Sequence, residues 1–588
     1  MQLLNNLPYD WELLSENIRL AHQKYSESFA LLPSLSSKMI EELKIKPTFD
    51  PTALMKVFSQ TMVSSIKPEK LVAYIQQLGT WSSLSNPIFM NYFNASNVKD
   101  KRFKDSEWLT HPFFSSIKDY YLQSSEVMKN FVEAIPVDNL KNKHKLSFYT
   151  KQLVDALAPV NFPFLNPEVI RETMNSHGQN LINGAENFLE DIKRGCETGK
   201  FLIPTTDLDG FSVGETLAIT PGQVVFENEL FQLIQYEPST KEVFKSPILI
   251  MPAWINKYYI LDLQPHNSLV KWIVDQGYTV FMISWINPDA TFANKSFEDY
   301  MITGVLTAIE KAKEISKAES LSCMGYCLGG TMLAVTLAYL AAQDKLHNYV
   351  NSATFLTTLV DFKEAGDVAT FIDEQQLELL DSIMRNAGYL DGYYMALCFS
   401  ILRSSDMIWS YYISNYLLGK KPQAFDILHW NSDSTRMPYS MHSYYLRKLY
   451  LENSLSKAGS IVINGIGIDL SKIDIPTYVL ATKEDHIAPW QSVYLTSNIG
   501  KNCFVLGGSG HVVGIINPPN KSKYSYRINE SQYLDPEEWF RTSKEIAGSW
   551  WPHWLNWASA LNNEKIPLRQ IDKKNIIEKA PGRYVKIK

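Results

Sequence analysis

Between residues 246 and 508 the chain carries six short, near-continuous apolar runs, with helical patterns filling most of the gaps between them. They are SPILIMP (246–252), YTVFMISW (278–285), SLSCMG (320–325), ATFLTTLV (353–360), TYVLAT (477–482) and NCFVLGG (502–508). A strand with one wet face alternates apolar and polar residues. A strand that reads apolar throughout is covered on both faces, which is the condition of a parallel sheet clothed in helices. This rhythm commits the chain to an α/β architecture with a right-handed, doubly wound sheet. Just upstream, QVVFEN and FQLIQYEP read as a strand pair joined by a tight turn.

Residues 1–205 have another texture, mostly helical. In LINGAENFLEDIKRG the apolar positions Leu181, Ala185, Phe188, Leu189 and Ile192 recur at helical spacing, Lys193 and Arg194 sit in the last turn, and Gly195 is the expected C-cap. KLSFYTKQLVDAL repeats the pattern with Leu146, Tyr149, Leu153 and Leu157. The expected organisation is a helical amino-terminal domain (1–205) and a catalytic domain (206–588). Within the latter, the stretch from Leu359 to Thr477 is too long for one crossover. Its aromatic, amphipathic segments MIWSYYISNYLLG and MHSYYLRKLYLEN predict a helical cap inserted at about 361–470 over the carboxyl edge of the sheet, with a separate helical domain as the alternative.

Composition narrows the function classes. Of 588 residues 45% are hydrophobic and 20% charged, a globular balance, and 56 Lys+Arg against 62 Asp+Glu leave no basic excess for nucleic acid. Five cysteines are too few for a disulfide framework, and their odd number leaves a free thiol, as expected in a reducing compartment. MQLLNNLPYDWELL lacks the basic start of a secretory signal, and the apolar stretch from Cys327 to Ala342 falls short of the roughly 18–20 residues that span a bilayer. A cytoplasmic protein without a transmembrane segment is expected. No HExxH or CxxC pair is present, so no metal site is expected, and the glycine-rich stretches miss the dinucleotide and P-loop spacings.

The strongest chemical signal is Gly325-Tyr326-Cys327-Leu328-Gly329-Gly330, with a predicted strand before it and the apolar helix TMLAVTLAYLAA after it. This is a nucleophile elbow with cysteine as the nucleophile, and a random Gly-x-Cys-x-Gly is expected only about 0.01 times in such a chain. The thiol would sit at a helix N-terminus, whose dipole favours a thiolate. On such a sheet the nucleophile is followed in the chain by an acid and then a histidine. Asp485, after TYVLAT, and His511, after NCFVLGG, occupy strand-to-helix loops at the edge that also displays Cys327. Glu484 is the competing acid. His486 is the competing base, expected instead to be structural or to face the substrate. The backbone N–H of Leu328 and a second from Trp254 or Ile255 are the expected oxyanion donors.

The motifs DKRFKDSEWLTHPFF (100–114), NFPFLNPEVIRETMNSHGQNLINGAENFLEDI (161–192), PAWINKYYILDLQPHNSLVKW (252–272), FMISWINPD (281–289), GYCLGG (325–330), NYLLGKKPQAFDILHWNSDSTRMP (415–438), ATKEDHIAPW (481–490), GSGHVVGIINPP (508–519) and SWWPHW (549–554) occur in that order. With them the chain closely resembles the polyhydroxyalkanoate synthases, members of the α/β-hydrolase superfamily that polymerise 3-hydroxyacyl-CoA into storage polyester. It departs from the family's usual pattern at Pro252-Ala253-Trp254, where a second proline is common. The resemblance implies that Cys327 is acylated, with His511 as general base and Asp485 as third member. It implies no cofactor, CoA being a released product. Tyr326, Leu328 and the length resemble the single-polypeptide class I, implying a short-chain substrate such as 3-hydroxybutyryl-CoA. It also implies a homodimer on the polyester granule in the cytoplasm, meeting phasin-like partners through the amino-terminal helices.

Overall fold

A computed structural model describes residues 10–42, 100–135, 140–496, 499–521, 523–531 and 535–588. The chain divides into two compact units. One comprises Met1–Asp207 with Leu397–Gln423, the other Leu208–Ala396 with Ala424–Lys588. A segment of the expected cap, Leu397–Gln423, therefore belongs with the amino-terminal helices.

The second unit is organised by an 11-stranded sheet. Its strands are β1 (Gly222–Glu227), β2 (Phe231–Tyr236), β3 (Ile248–Met251), β4 (Val280–Trp285), β5 (Leu321–Tyr326), β6 (Val350–Leu356), β7 (Pro476–Thr482), β8 (Lys501–Gly507), β9 (Ser525–Ile528), β10 (Lys544–Ala547) and β11 (Glu578–Lys579). Their spatial order is 11-1-2-4-3-5-6-7-8-9-10. β3 to β8, the six apolar runs of the sequence, are mutually parallel, and the remaining pairings are antiparallel. Every residue of β3 and β4 is buried, as strands covered on both faces require. The β1–β2 turn is closed by Asn228, whose side-chain oxygen accepts from the N–H groups of Leu230 and Phe231.

The first unit includes the helices α1 (Trp11–Glu42), α2 (Pro112–Ala134), α3 (Leu140–Ala156), α4 (Pro167–Asn175) and α5 (Gln179–Thr198), of which α3 and α5 lie where the sequence pattern placed helices. Ala185, Leu189 and Ile192 of α5 are buried as expected. The cap is misplaced by one turn, however. α5 ends at Gly199, left-handed at φ 68°, whose N–H donates to the Gly195 carbonyl. Gly195 lies inside the helix because α1 presses there; a Cβ would stand 2.9 Å from the Leu35 methyl. α3 keeps only part of its expected face: Leu146 is buried as expected, but Leu153 and, just past the helix end, Leu157 are exposed, while Phe148 and Val154 are buried. Asp155 turns inward to pair with Arg102 at 3.0 Å, which also holds Asp100 at 2.7 Å. Within the same unit Tyr416 donates to Asp191 (2.8 Å) and Asn180 to the Leu417 carbonyl (2.9 Å), tying Leu397–Gln423 to α5. Among the described residues no helix is long and apolar enough to cross a membrane.

Candidate active site

The site is built at the carboxyl ends of β5, β7 and β8. β5 delivers the chain to Cys327, which adopts φ 54° and ψ −123°, and α6 (Leu328–Ala341) begins at the next residue. A β-carbon is strained at such angles, and the surroundings must hold it there. Here they do: the Cys327 N–H donates to the Leu356 carbonyl, and its own carbonyl accepts from Gly330, Thr331 and the Thr358 hydroxyl. The helix is buried continuously from Leu328 to Leu340, so its start cannot drift. The glycines allow the close approach. A Cβ on Gly329 would stand 2.1 Å from the Met251 carbonyl, and one on Gly330 would stand 1.9 Å from the Thr358 hydroxyl.

His511 follows β8 and Asp485 follows β7. The histidine Nδ1 lies 2.6 Å from Asp485 Oδ2, and both side chains are buried. The carboxylate is fixed on its other oxygen by the N–H groups of Ile487 (2.9 Å) and Ala488 (2.8 Å), and Thr482 adds a longer bond to Oδ2. With Nδ1 occupied by Asp485, Nε2 is the nitrogen left for Cys327. Burial alone would push this imidazole down. The Asp485 charge and then Cys327 overcome it, holding His511 well above its usual 6.5. The structure thus brings together Cys327, His511 and Asp485 in the geometry of a nucleophile, a base and an orienting carboxylate.

Residues 99–273 match the family model described as Poly-beta-hydroxybutyrate polymerase (PhaC) N-terminus, and residues 246–518 match that of the alpha/beta hydrolase fold. The chain is 46% identical over 492 residues to the poly(3-hydroxyalkanoate) polymerase subunit PhaC of Rhizobium meliloti, covering 83% of this chain and 80% of that protein. It is 40% identical over 501 residues to the subunit of the same name from Cupriavidus necator, covering 84% of each. The chain belongs to the poly(3-hydroxyalkanoate) polymerase family. Among solved structures, a hydrolase from Oleispira antarctica matches at a TM-score of 0.31 and 13% identity, over 48% of this chain and 88% of its own. This family member is an enzyme of the acyltransferase class on an α/β-hydrolase fold.

Of the competing residues in the enzyme, Glu484 is exposed at the rim, while His486 is half-buried and its carbonyl accepts from Asp367 N–H at 2.9 Å. Leu328, Trp254 and Ile255, the expected oxyanion donors, are all buried. Among the described residues the N–H groups of Leu328 and Ile255 have no acceptor. Downstream of His511 the chain forms one wall of a cavity of about 410 Å³, whose lining mixes Phe425, Ile427 and Ile516 with Lys521 and Lys523. No group of three or more His, Cys, Asp or Glu among the described residues is arranged to hold a metal ion.

Sequence reasoning missed Thr358 and Thr482, and the amides of Ile487 and Ala488. The amides had a signal: an aspartate readily accepts from the N–H two residues on. The threonines had none, because nothing in their local pattern distinguishes a hydroxyl that holds an elbow from one that satisfies a strand end.

Proposed function

We propose that this enzyme polymerises 3-hydroxyacyl groups from their CoA thioesters into polyester through an acyl-Cys327 intermediate. The observation that carries the reading is the alignment of Cys327, His511 and Asp485, with the nucleophile at the start of a buried helix. His511 takes the proton of the Cys327 thiol as the reaction begins. The thiolate sulfur attacks the thioester carbonyl, a new carbon–sulfur bond forms and the bond to CoA breaks, and the His511 proton goes to the departing sulfur. The neutral imidazole then takes the proton of an incoming 3-hydroxyl. The hydroxyl oxygen attacks the acyl-cysteine, an ester forms, and the Cys327 thiolate and His511 imidazolium return. Asp485 holds the ring tautomer and stabilises the imidazolium throughout.

An acyl-cysteine passes its acyl group to water as readily as to a hydroxyl, so a polymerase must keep water out. A closed cap over the site within residues 361–396 and 424–470 supplies that exclusion on this reading, and limited proteolysis that finds those residues equally exposed with and without substrate would argue against it. No dissociable cofactor is required, CoA leaving as a product. The resemblance supports a short-chain substrate, 3-hydroxybutyryl-CoA, and action in the cytoplasm as a homodimer at the polyester granule. Leu109, Phe113, Tyr120 and Phe164 are exposed and give the helical unit an apolar surface for the granule or for phasin-like proteins. Gradient sedimentation showing only monomer during turnover would contradict the dimer.

The deciding experiment measures CoA release from 3-hydroxybutyryl-CoA by wild type and by Cys327→Ala, with the acyl product sized in parallel. Release with long polyester, lost in the variant, is the expected result. Release of free 3-hydroxybutyrate alone would make the enzyme a thioesterase.

A further inference from the structure

The loop after β3 is stitched to residues 430–435 by a set of bonds the chemistry above does not use. Trp430 Nε1 donates to the Lys257 carbonyl at 2.7 Å, and the Thr435 hydroxyl donates to the Trp254 carbonyl at 3.1 Å. Asn256 and Ser434 form a β-bridge between these two bonds. Lys257 Nζ, itself buried, lies 2.8 Å from Asp433, whose other oxygen accepts from Tyr259 at 2.9 Å. The buried Trp254 ring packs among Phe297, Tyr300 and Tyr445 at centroid distances of 6.3, 6.2 and 5.9 Å.

A trans peptide is planar, and its C=O and N–H point in opposite directions. Whatever fixes the Trp254 carbonyl also fixes the Ile255 N–H, turning it to the far side of the loop. That N–H has no acceptor among the described residues. The same loop begins against the start of α6, where the Met251 carbonyl and Pro252 leave no space for a side chain at Gly329. The Leu328 N–H, also without an acceptor, stands at that helix start.

We propose that Thr435 is a positioning residue. Its hydroxyl anchors the Trp254–Ile255 peptide so that the Ile255 N–H joins the Leu328 N–H in binding the oxyanion formed during acylation of Cys327. The Lys257–Asp433 pair holds residues 430–435 in register for that bond. This assignment rests on the acyl-cysteine reading above and names a donor and its support within it. A preorganised donor is worth about 10²–10³ in rate, and loosening a donor without removing it forfeits part of that.

The test compares two reactions of the same thiol in wild type, Thr435→Val and Thr435→Ser. Acylation by 3-hydroxybutyryl-CoA generates an oxyanion, whereas alkylation by iodoacetamide is a displacement at carbon and generates none. The expected result is a kcat for CoA release about tenfold lower in Thr435→Val. KM and the iodoacetamide rate should be unchanged, and the rate recovered in Thr435→Ser. Thr435→Ala, which lacks the hydroxyl without adding a methyl group, must behave as Thr435→Val does and replaces it if the valine variant does not fold. Unchanged acylation in the hydroxyl-free variants overturns the proposal. So does an equal fall in acylation and alkylation, which would place the effect on the thiol or the fold. A wild-type enzyme whose Cys327 is never acylated overturns the reading of function itself, and that result is visible before any variant is made.

Discussion

Two ion pairs, each with its basic partner buried, lie in the same unit and are made of similar ingredients. His511 meets Asp485 at 2.6 Å and Lys257 meets Asp433 at 2.8 Å. Around Lys257 every bond ends on a static partner: Nζ also donates to the Ile587 carbonyl at 3.0 Å, and Asp433 also accepts from Tyr259. Around His511 the carboxylate is equally saturated, but the imidazole turns its second nitrogen to a thiol. The electrostatics separate in the same way. Burial pushes the Lys257 ammonium below its usual value, with Asp433 resisting. His511 is held above its usual value against its own burial, by the Asp485 charge first and then by Cys327. One pair is closed and structural. On the proposed mechanism the other differs by a single group that gains and loses a proton beside a nucleophile.

Breaking the reactive pair should therefore cost rate, and breaking the closed one should cost stability. Cys327→Ala is expected to lower CoA release by about 10⁴-fold or more, with the circular dichroism spectrum of the wild type. Asp485→Asn keeps the shape but presents the wrong hydrogen-bonding face to His511, and kcat should fall about 10³–10⁴-fold. Retention of more than a tenth of the wild-type rate would show that His511 does not depend on this carboxylate. Asp433→Ala strands a buried ammonium and should lower the unfolding free energy by about 3–5 kcal/mol, read by urea denaturation. The rate of the molecules that remain folded should fall by no more than the roughly tenfold expected when the Thr435 anchor is loosened, far short of the losses at Cys327 and Asp485. Replacing both partners, Lys257→Met with Asp433→Leu, should recover most of that loss. If the double variant is as unstable as the single, the pair is not what the site needs.

The elbow lies between these extremes. Gly330→Ala pushes a methyl group into the Thr358 hydroxyl, which also holds the Cys327 carbonyl. A destabilisation of about 1–3 kcal/mol is expected, together with a measurable loss of activity. A variant with wild-type Tm and rate would mean that the Thr358 contact is not needed.

The parallel strands were legible because burial on both faces leaves a signature in every residue, and the placing of Cys327, Asp485 and His511 at one sheet edge was legible because the fold constrains where loops leave the strands. What escaped was set by tertiary partners. Leu153 and Leu157 lie on an apolar stripe yet are exposed, while Asp155, on the same helix as Leu153, turns inward to Arg102. Gly195 resembles a cap, and only the arrival of Leu35 from a distant helix explains a glycine there. The affiliation of Leu397–Gln423 with the amino-terminal helices depends on bonds such as Tyr416 to Asp191, which join residues far apart in the chain. Thr435 likewise reads as an ordinary loop residue until the Trp254 carbonyl is found opposite it.

The smallest effect is the sharpest test of the comparison, because the two pairs must respond to pH with opposite sign. His511 has a folded-state value above its ordinary 6.5. Between 6.5 and that higher value the folded protein holds more protons than the unfolded chain, so stability falls as pH rises; the contribution is complete below 6.5 and lost on the alkaline side. Lys257 is displaced the other way, below its ordinary 10.5. Between its lowered value and 10.5 the unfolded chain holds more protons, so this group makes stability rise with pH. Neither slope can exceed about 1.4 kcal/mol per pH unit for one proton. Urea midpoints of wild type, His511→Gln and Lys257→Met from pH 6 to pH 10 read both slopes. The advantage of wild type over His511→Gln should shrink as pH climbs past 6.5, while the balance between wild type and Lys257→Met should move in favour of wild type towards pH 10. Slopes of the same sign would mean that the two pairs are electrostatically alike, and the distinction between a reactive and a closed pair would then have to rest on geometry alone.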